Sequence, residues 1–206
     1  MTETIRKVFI TDKRGEPRAD RMKLSEDVKE TVDRFRMMFL NDVRGCVFRK
    51  DVLVALADGR QLGPYHEGEH AELPNWIIEK LLKHDFVDLV PEDAFESLRR
   101  VENLYRAEEK VPHKLQPFHP HLYAALSRKL LRLQSDKTSL DPRSYEEIDK
   151  LKRVIPFLLE TRLSKIMRTA KSGAYTEMRK QMTNEERWLC GELAHLLSEW
   201  RDDVMA

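Results

Sequence analysis

Three groups of side chains in this sequence have the types and spacing to do chemistry. The first is acidic: Glu67, Glu69 and Glu72 sit close together, with His66 and His70 among them. Paired carboxylates support acid–base catalysis when contrasting surroundings raise one pKa and leave the other low. No motif surrounds these three, so the expectation is a solvated acidic loop, at best a docking surface. The second group, His113, His119 and His121, invites a metal reading. Zinc sites pair Cys or His at short spacing on both sides, and the chain has neither C-x-x-C nor H-E-x-x-H. His119 and His121 flank Pro120, where they cap a helix or meet solvent.

Basic side chains form the third group. Lys150, Lys152, Arg153, Arg162, Lys165, Arg168 and Lys171 crowd one predicted helix, 145–171, followed by Arg179 and Lys180. At about 100° per residue they wrap most of the way round instead of forming a stripe for DNA. Arg162 stands apart. Leu151, Ile155, Leu158, Leu159 and Ile166 define the apolar face, and Arg162 falls at its centre. A guanidinium there must meet a carboxylate or helix-end carbonyls, because an unpaired buried charge is costly. A structural ion pair or an interface role is expected for it, ahead of nucleic-acid contact.

Other chemistries lack their residues. The stretch "GPYHEG" carries acids that repel phosphate, and Pro64 removes an N–H that an anion needs. Cys46 and Cys190 are far apart, and Cys190 lies mid-helix with nothing to lower its pKa. Both read as small hydrophobes in a reducing compartment. The chain is expected to be no enzyme and to need no metal or cofactor.

The elements that position these groups follow from periodicity. The 206 residues leave room for one domain or two small ones, and 37 basic against 36 acidic residues give no global pull toward nucleic acid or membrane. An apolar content of 41% is too high for a disordered chain. No run approaches a membrane span, and no signal peptide is evident. A cytoplasmic, nucleoid-associated protein is expected, nuclear if eukaryotic. "IRKVFIT" (5–11) reads as a short strand. Ser25 caps a helix striped by Val28, Val32, Phe35 and Phe39.

Texture turns β-like from 46 to 92. "VLVAL" (52–56) and residues 60–62 read as a hairpin about Asp58-Gly59, taken as a two-residue turn. Gly63-Pro64 ends it, Leu73-Pro74 launches a helix bearing Trp76, Ile77, Ile78, Leu81 and Leu82, and "FVDLV" (86–90) is a last strand. Residues 93–206 read as helical throughout, with a kink or break at Pro156 and a Thr183/Glu186 capping box on the last helix. The class is therefore α+β, with an N-terminal strand and helix (1–45), a small β-rich module (46–92) and a helical bundle (93–206).

With the modules placed, the sequence resembles a subunit of the GINS complex, of archaeal type. "LGPYHEGEHAELPNWIIEKLLKHDFVDLV" (62–90) is similar to the small B-domain and its "GP…G…ELP.W" pattern, framed here by Gly59, Gly63, Pro64, Leu73, Pro74 and Trp76. "LLETRLSKIMRTA" (158–170) and "MTNEERWLCGELAHLLSEWR" (182–201) resemble the helical A-domain. The resemblance implies a non-catalytic subunit in a tetramer, bridging the MCM helicase to a Cdc45-like or RecJ-like partner, with primase or polymerase as further contacts. Leu122, Tyr123, Trp188 and Trp200 are the candidate interface anchors, with ordinary core as the competing reading for each. The rival functions are a DNA-binding protein using helix 145–171 and a metal-dependent enzyme using the three histidines.

Overall fold

The computed structural model describes residues 27–135 and 142–205. The strand expected at 5–11, the Ser25 cap and most of the loop after Gln134 lie outside them. Helix α1 (Val28–Asn41) is capped by Asp27, whose carboxylate accepts from the Glu30 amide at 2.7 Å. Its Phe39 enters the helical core beside Phe95, Leu122, Leu126 and Leu158. The helix that precedes the β-rich module in sequence is therefore anchored to the bundle that follows it.

Five strands build the small module: β1 (Val43–Phe48), β2 (Val52–Ala55), β3 (Gln61–Tyr65), β4 (His70–Pro74) and β5 (Val87–Leu89). Strand β1 is central in an antiparallel sheet of order β4-β1-β5, and β2 pairs with β3 as a separate hairpin. Phe48 stacks on Tyr65 at 4.3 Å and joins the two sheets. Helix α2 (Asn75–Lys83) lays Ile77, Ile78 and Leu81 over Cys46, Phe48, Leu73 and Val87. Each such side chain contributes about 1.5–3 kcal/mol by leaving water.

Two turns differ from expectation. Asp58 has no positive φ. The Leu56 amide bonds to the Arg60 carbonyl at 2.8 Å, so the loop is the three residues 57–59, with Gly59 alone left-handed at φ +85°. Gly63-Pro64 does not end a strand either. β3 runs through it to Tyr65, because its pairing with β2 shifts register between Val52 and Val54 and absorbs the irregularity. Strand β4 has no counterpart in the periodicity reading: its polar "HAELP" alternates only weakly, and its ladder to β1 supplies the order. Pro74 closes that strand and sits just before α2.

The bundle comprises α3 (Leu98–Lys110), α4 (Leu122–Ser135), α5 (Pro142–Ser172), the short α6 (Tyr175–Met178) and α7 (Asn184–Met205), with a 3-10 turn at Arg179–Gln181. Pro156 lies inside α5 without breaking it. Its ring is exposed, so the carbonyl that loses its partner faces water.

Module and bundle meet through polar contacts. Arg44 of β1 pairs with Glu96 at 2.9 Å and covers the Phe95 ring at 4.5 Å. Asn75 donates to the Phe39 carbonyl at 2.8 Å, and Arg128 of α4 grips both oxygens of Glu79 on α2. Gly63 carries φ +99°, and a Cβ there would stand 2.8 Å from the Tyr65 amide nitrogen, whereas a Cβ on Gly59 meets nothing within 4 Å. Both Gly→Ala changes carry the left-handed cost of about 1–2 kcal/mol. Gly63→Ala adds a backbone clash and is expected to lower the denaturation midpoint measurably further than Gly59→Ala. Equal losses would show that the close approach at Gly63 is relieved freely.

Candidate functional site

Arg162 lies on α5, facing inward, with 0% of its surface exposed. Its Nη1 donates to Glu108 of α3 at 2.5 Å, and Nε and Nη2 donate to the two oxygens of Glu186 on α7 at 2.8 and 2.5 Å. Nη1 and Nη2 also reach the carbonyls of Gln116 and Gln181, and the guanidinium covers the Phe118 ring at 3.9 Å. Every donor is thus satisfied. Burial works against the charge, but the hydrogen-bonded carboxylate of Glu186, with Glu108 adding, outweighs it and raises the Arg162 pKa.

The partners are themselves fixed by local sequence. Thr183 and Glu186 form a reciprocal capping box, the Thr183 amide donating to Glu186 Oε2 at 3.0 Å and Thr183 Oγ1 accepting from the Glu186 amide at 3.2 Å. Tyr123 of α4 donates its hydroxyl to Glu186 Oε1 at 2.6 Å. Its own pKa is pushed well up by burial and by the Glu186 charge. Lys165, one turn beyond Arg162, pairs with the other oxygen of Glu108 and donates to the carbonyls of Glu108, Val111 and Lys114. Two cations and two carboxylates therefore cancel inside the protein and tie α3, α4, α5 and α7 at one point. Glu108 escaped the sequence reading, and Lys165 was read only as one of the basic residues crowding its helix. The available signal was Glu108 lying two turns after Val101 on the inward stripe of α3.

The remaining residues singled out by sequence scatter. Leu122 is fully buried in the protomer core and Tyr123 belongs to the charge network; Trp188 is half-buried, and Trp200 is 61% exposed. Leu159 faces solvent and does not share the inward face with Leu158, since the two lie a third of a turn apart. Glu67, Glu69 and Glu72 are all exposed, so no contrast of environment arises among them. Of the basic helix, Arg162 and Lys165 are spent inside, Lys150 and Arg153 pair with Glu146 and Asp149, and Arg168 reaches the Pro112 carbonyl and His113. Burial pushes the Cys46 and Cys190 thiols up to about 11. Within the β-rich module Leu73 is buried and Trp76 half-exposed, while Gly59, Gly63 and Pro64 sit on the hairpin.

The three histidines do not converge on one point, although His119 and His121 are neighbours with ring centroids 6.0 Å apart. His113 contacts Arg168, His119 stacks on Phe95 at 3.8 Å, and His121 lies 3.7 Å from Asp42. Among the described residues no group of three His, Cys, Asp or Glu side chains is placed to hold a metal ion, and no helix is long and apolar enough to cross a membrane. Burial lowers the pKa of His119, with His121 and Arg44 adding to the effect. Burial also lowers His121, Arg187 adding and Asp42 opposing.

Two outcomes are expected. Arg162→Ala leaves two buried carboxylates against one cation, which costs about 3–5 kcal/mol in chemical denaturation. Arg153→Ala, which breaks an exposed pair, leaves the midpoint unchanged, and equal effects would refute the network's role. The unfolded chain regains histidine pKa values near about 6.5 and binds extra protons as pH falls through that value. The stability held by the neutral rings, of which His121 is the more enclosed, is complete above it and is lost as pH falls below it through their lowered folded-state values. The unfolding midpoint should therefore fall from about pH 7.5 to about 5.5, and His121→Gln should flatten that fall. An unchanged profile would place the titration elsewhere.

Comparison with known families agrees with this bundle. The Sld5 family, described as the GINS complex protein helical bundle domain, matches residues 95–205, the stretch from Phe95 through α3 to the end of α7. No curated protein matches the chain. The matched stretch spans more than half of the 206 residues and contains the whole network around Arg162. The chain accordingly belongs to the GINS complex proteins of DNA replication.

Proposed function

We propose that this chain is a non-catalytic, archaeal-type GINS subunit, with the β-rich B-domain preceding the helical A-domain, that assembles with other GINS subunits into a tetramer. In that role it scaffolds the MCM helicase with a Cdc45-like or RecJ-like partner. The observation that carries the reading is the outer face of α7. Leu196, Trp200 and Val204 repeat every fourth residue and are 62%, 61% and 61% exposed, with Met205 beside them. A helix face of this kind stays stable in water only at a cost, and aromatic anchors of this type dominate subunit interfaces. The MCM and Cdc45-like partners follow from the family resemblance of the two modules. Direct DNA contact is at most weak, because the basic helix directs Arg162 and Lys165 inward.

Co-expression with the other GINS subunits and mass measurement of the purified complex test this. The parent chain is expected to co-purify in fixed stoichiometry, and Leu196→Asp with Trp200→Asp to remain folded but purify alone. The complex should survive a rise from about 0.1 to about 0.5 M salt, conditions that strip phosphate contacts. Undiminished assembly of the double variant, or loss of assembly in salt with retention on DNA at low salt, would overturn the reading.

A further inference from the structure

A second apolar surface adjoins the charge network. Helices α1, α5 and α7 enclose a groove of about 340 Å³, walled by Val28, Val32, Leu159, Leu163, Trp188 and Leu189. Arg162, Tyr123 and Glu186 contribute to its floor. Two carboxylates, Glu160 and Glu185, also line the groove, and its lining cation Arg162 is already paired with Glu108 and Glu186. Glu185 Oε2 is buried and has no hydrogen-bond partner. Burial raises the Glu185 pKa even though its own amide and the Thr183 hydroxyl donate to the carboxylate. Arg36 acts on it only through space and is itself paired with Asp33 at 2.7 Å. The groove therefore presents an apolar trough with one carboxylate oxygen still open to a donor.

The chain itself carries a segment of matching chemistry. We propose that residues 5–10, "IRKVFI", dock in this groove, with Ile5, Val8 and Phe9 in the trough and Arg6 or Lys7 against Glu185 and Glu160. These residues lie outside the described part of the chain. The described fold begins at Asp27, and Val28 and Val32 of the first turns of α1 already line the groove, so the preceding chain enters the fold at its rim. Residues 5–10 place four apolar side chains beside two adjacent cations, the densest such cluster before α1. Seventeen residues separate Ile10 from Val28, a contour long enough for the segment to reach a groove that Val28 itself lines. Tethering makes the encounter intramolecular, at an effective concentration of order mM, so a modest intrinsic affinity suffices.

Docking places an apolar cover over the floor that holds Arg162 and Glu186. It supplies Glu185 with a charge-assisted donor, the stronger kind of hydrogen bond. It also removes one exposed apolar surface from the isolated protomer while leaving the Leu196–Trp200–Val204 face of α7 free. The two surfaces thus have different occupants: this chain's own segment in the groove and another subunit on the outer face.

Cross-linking of the full chain tests this. Phe9→Cys is combined with Leu159→Cys, a wall position exposed enough to tolerate the change, while Cys46 and Cys190 stay buried. Mild oxidation is expected to give an intramolecular disulfide in several-fold higher yield than the control pair Glu16→Cys with Leu159→Cys. Adding Glu185→Gln should lower that yield. In a full chain whose only tryptophan is Trp188, after Trp76→Phe and Trp200→Phe, Val8→Asp with Phe9→Asp should shift the emission to the red and increase quenching. Equal yields for the two cysteine pairs, disulfides formed only between chains, or an unaltered Trp188 spectrum would each overturn the proposal. The between-chain result would assign the groove to a second copy. A yield indifferent to Glu185→Gln would overturn its ionic part.

Discussion

The bundle is organised around a guanidinium that water cannot reach. Arg162 is fully enclosed, so its position is stable only while Glu108, Glu186 and the carbonyls of Gln116 and Gln181 are all where they are. Each of those groups belongs to a different segment. Their placement is therefore a set of simultaneous conditions: α3 must end near Arg162, the 112–121 connection must pass over it, and α7 must start beside it. Apolar packing alone tolerates sliding between helices far better than a fork of directed hydrogen bonds does. Replacing such networks by hydrophobic side chains is often neutral or stabilising elsewhere, so the consequence here is geometric more than energetic.

The same helix shows an inversion of the usual pattern. On α5 the inward face holds Arg162 and Lys165, while Phe157 and Met167 are exposed on the outer side. Charge has been placed where it is fully paired, and apolar surface where it is exposed. The capping box links the two. Glu186 satisfies the first turn of α7 and pairs with Arg162, so the direction in which α7 leaves the bundle is set by the network. That direction carries Trp200 outward, four turns further on.

Much of this was legible in the sequence, and the gaps have definite causes. Helix periodicity and the Thr183–Glu186 pair gave the bundle and the start of α7, and a cation at the centre of an apolar stripe identified Arg162 as needing partners. Its partner Glu108 was obscured because a carboxylate on a helix ordinarily reads as solvated, and only its register with Val101 says otherwise. Strand β4 was hidden for a related reason: "HAELP" has little β propensity, and its order comes from the ladder to β1 at the far end of a hairpin connection. Leu159 was misplaced because it adjoins Leu158, and a third of a turn separates the core from solvent. Loop length about Gly59 depended on whether one residue or two adopts positive φ, which the dipeptide Asp-Gly does not distinguish.

Where the β-rich module meets the helices, the chemistry again is charge, not apolar area. Arg44 with Glu96, Arg128 with Glu79, and Asn75 with the Phe39 carbonyl cross the joint, and the Gly45 amide donates to Asp93 at 2.8 Å. The two cores on either side remain separate clusters. A joint of this kind has one well-defined arrangement, because Arg44 must meet Glu96, Asn75 and the Asp93 carbonyl together while Asn75 meets the Phe39 and Asp42 carbonyls, yet it holds only moderately against salt and water. Phe39 alters that balance. It is delivered by α1, which leads directly into β1, and its ring sits in the helical core beneath Arg44. A rotation of the module that broke the Arg44–Glu96 pair would pull on the strand that follows Phe39. The module is thus oriented by ionic contacts and restrained by one buried ring, so the bundle and the small domain present their outer surfaces in a fixed relation.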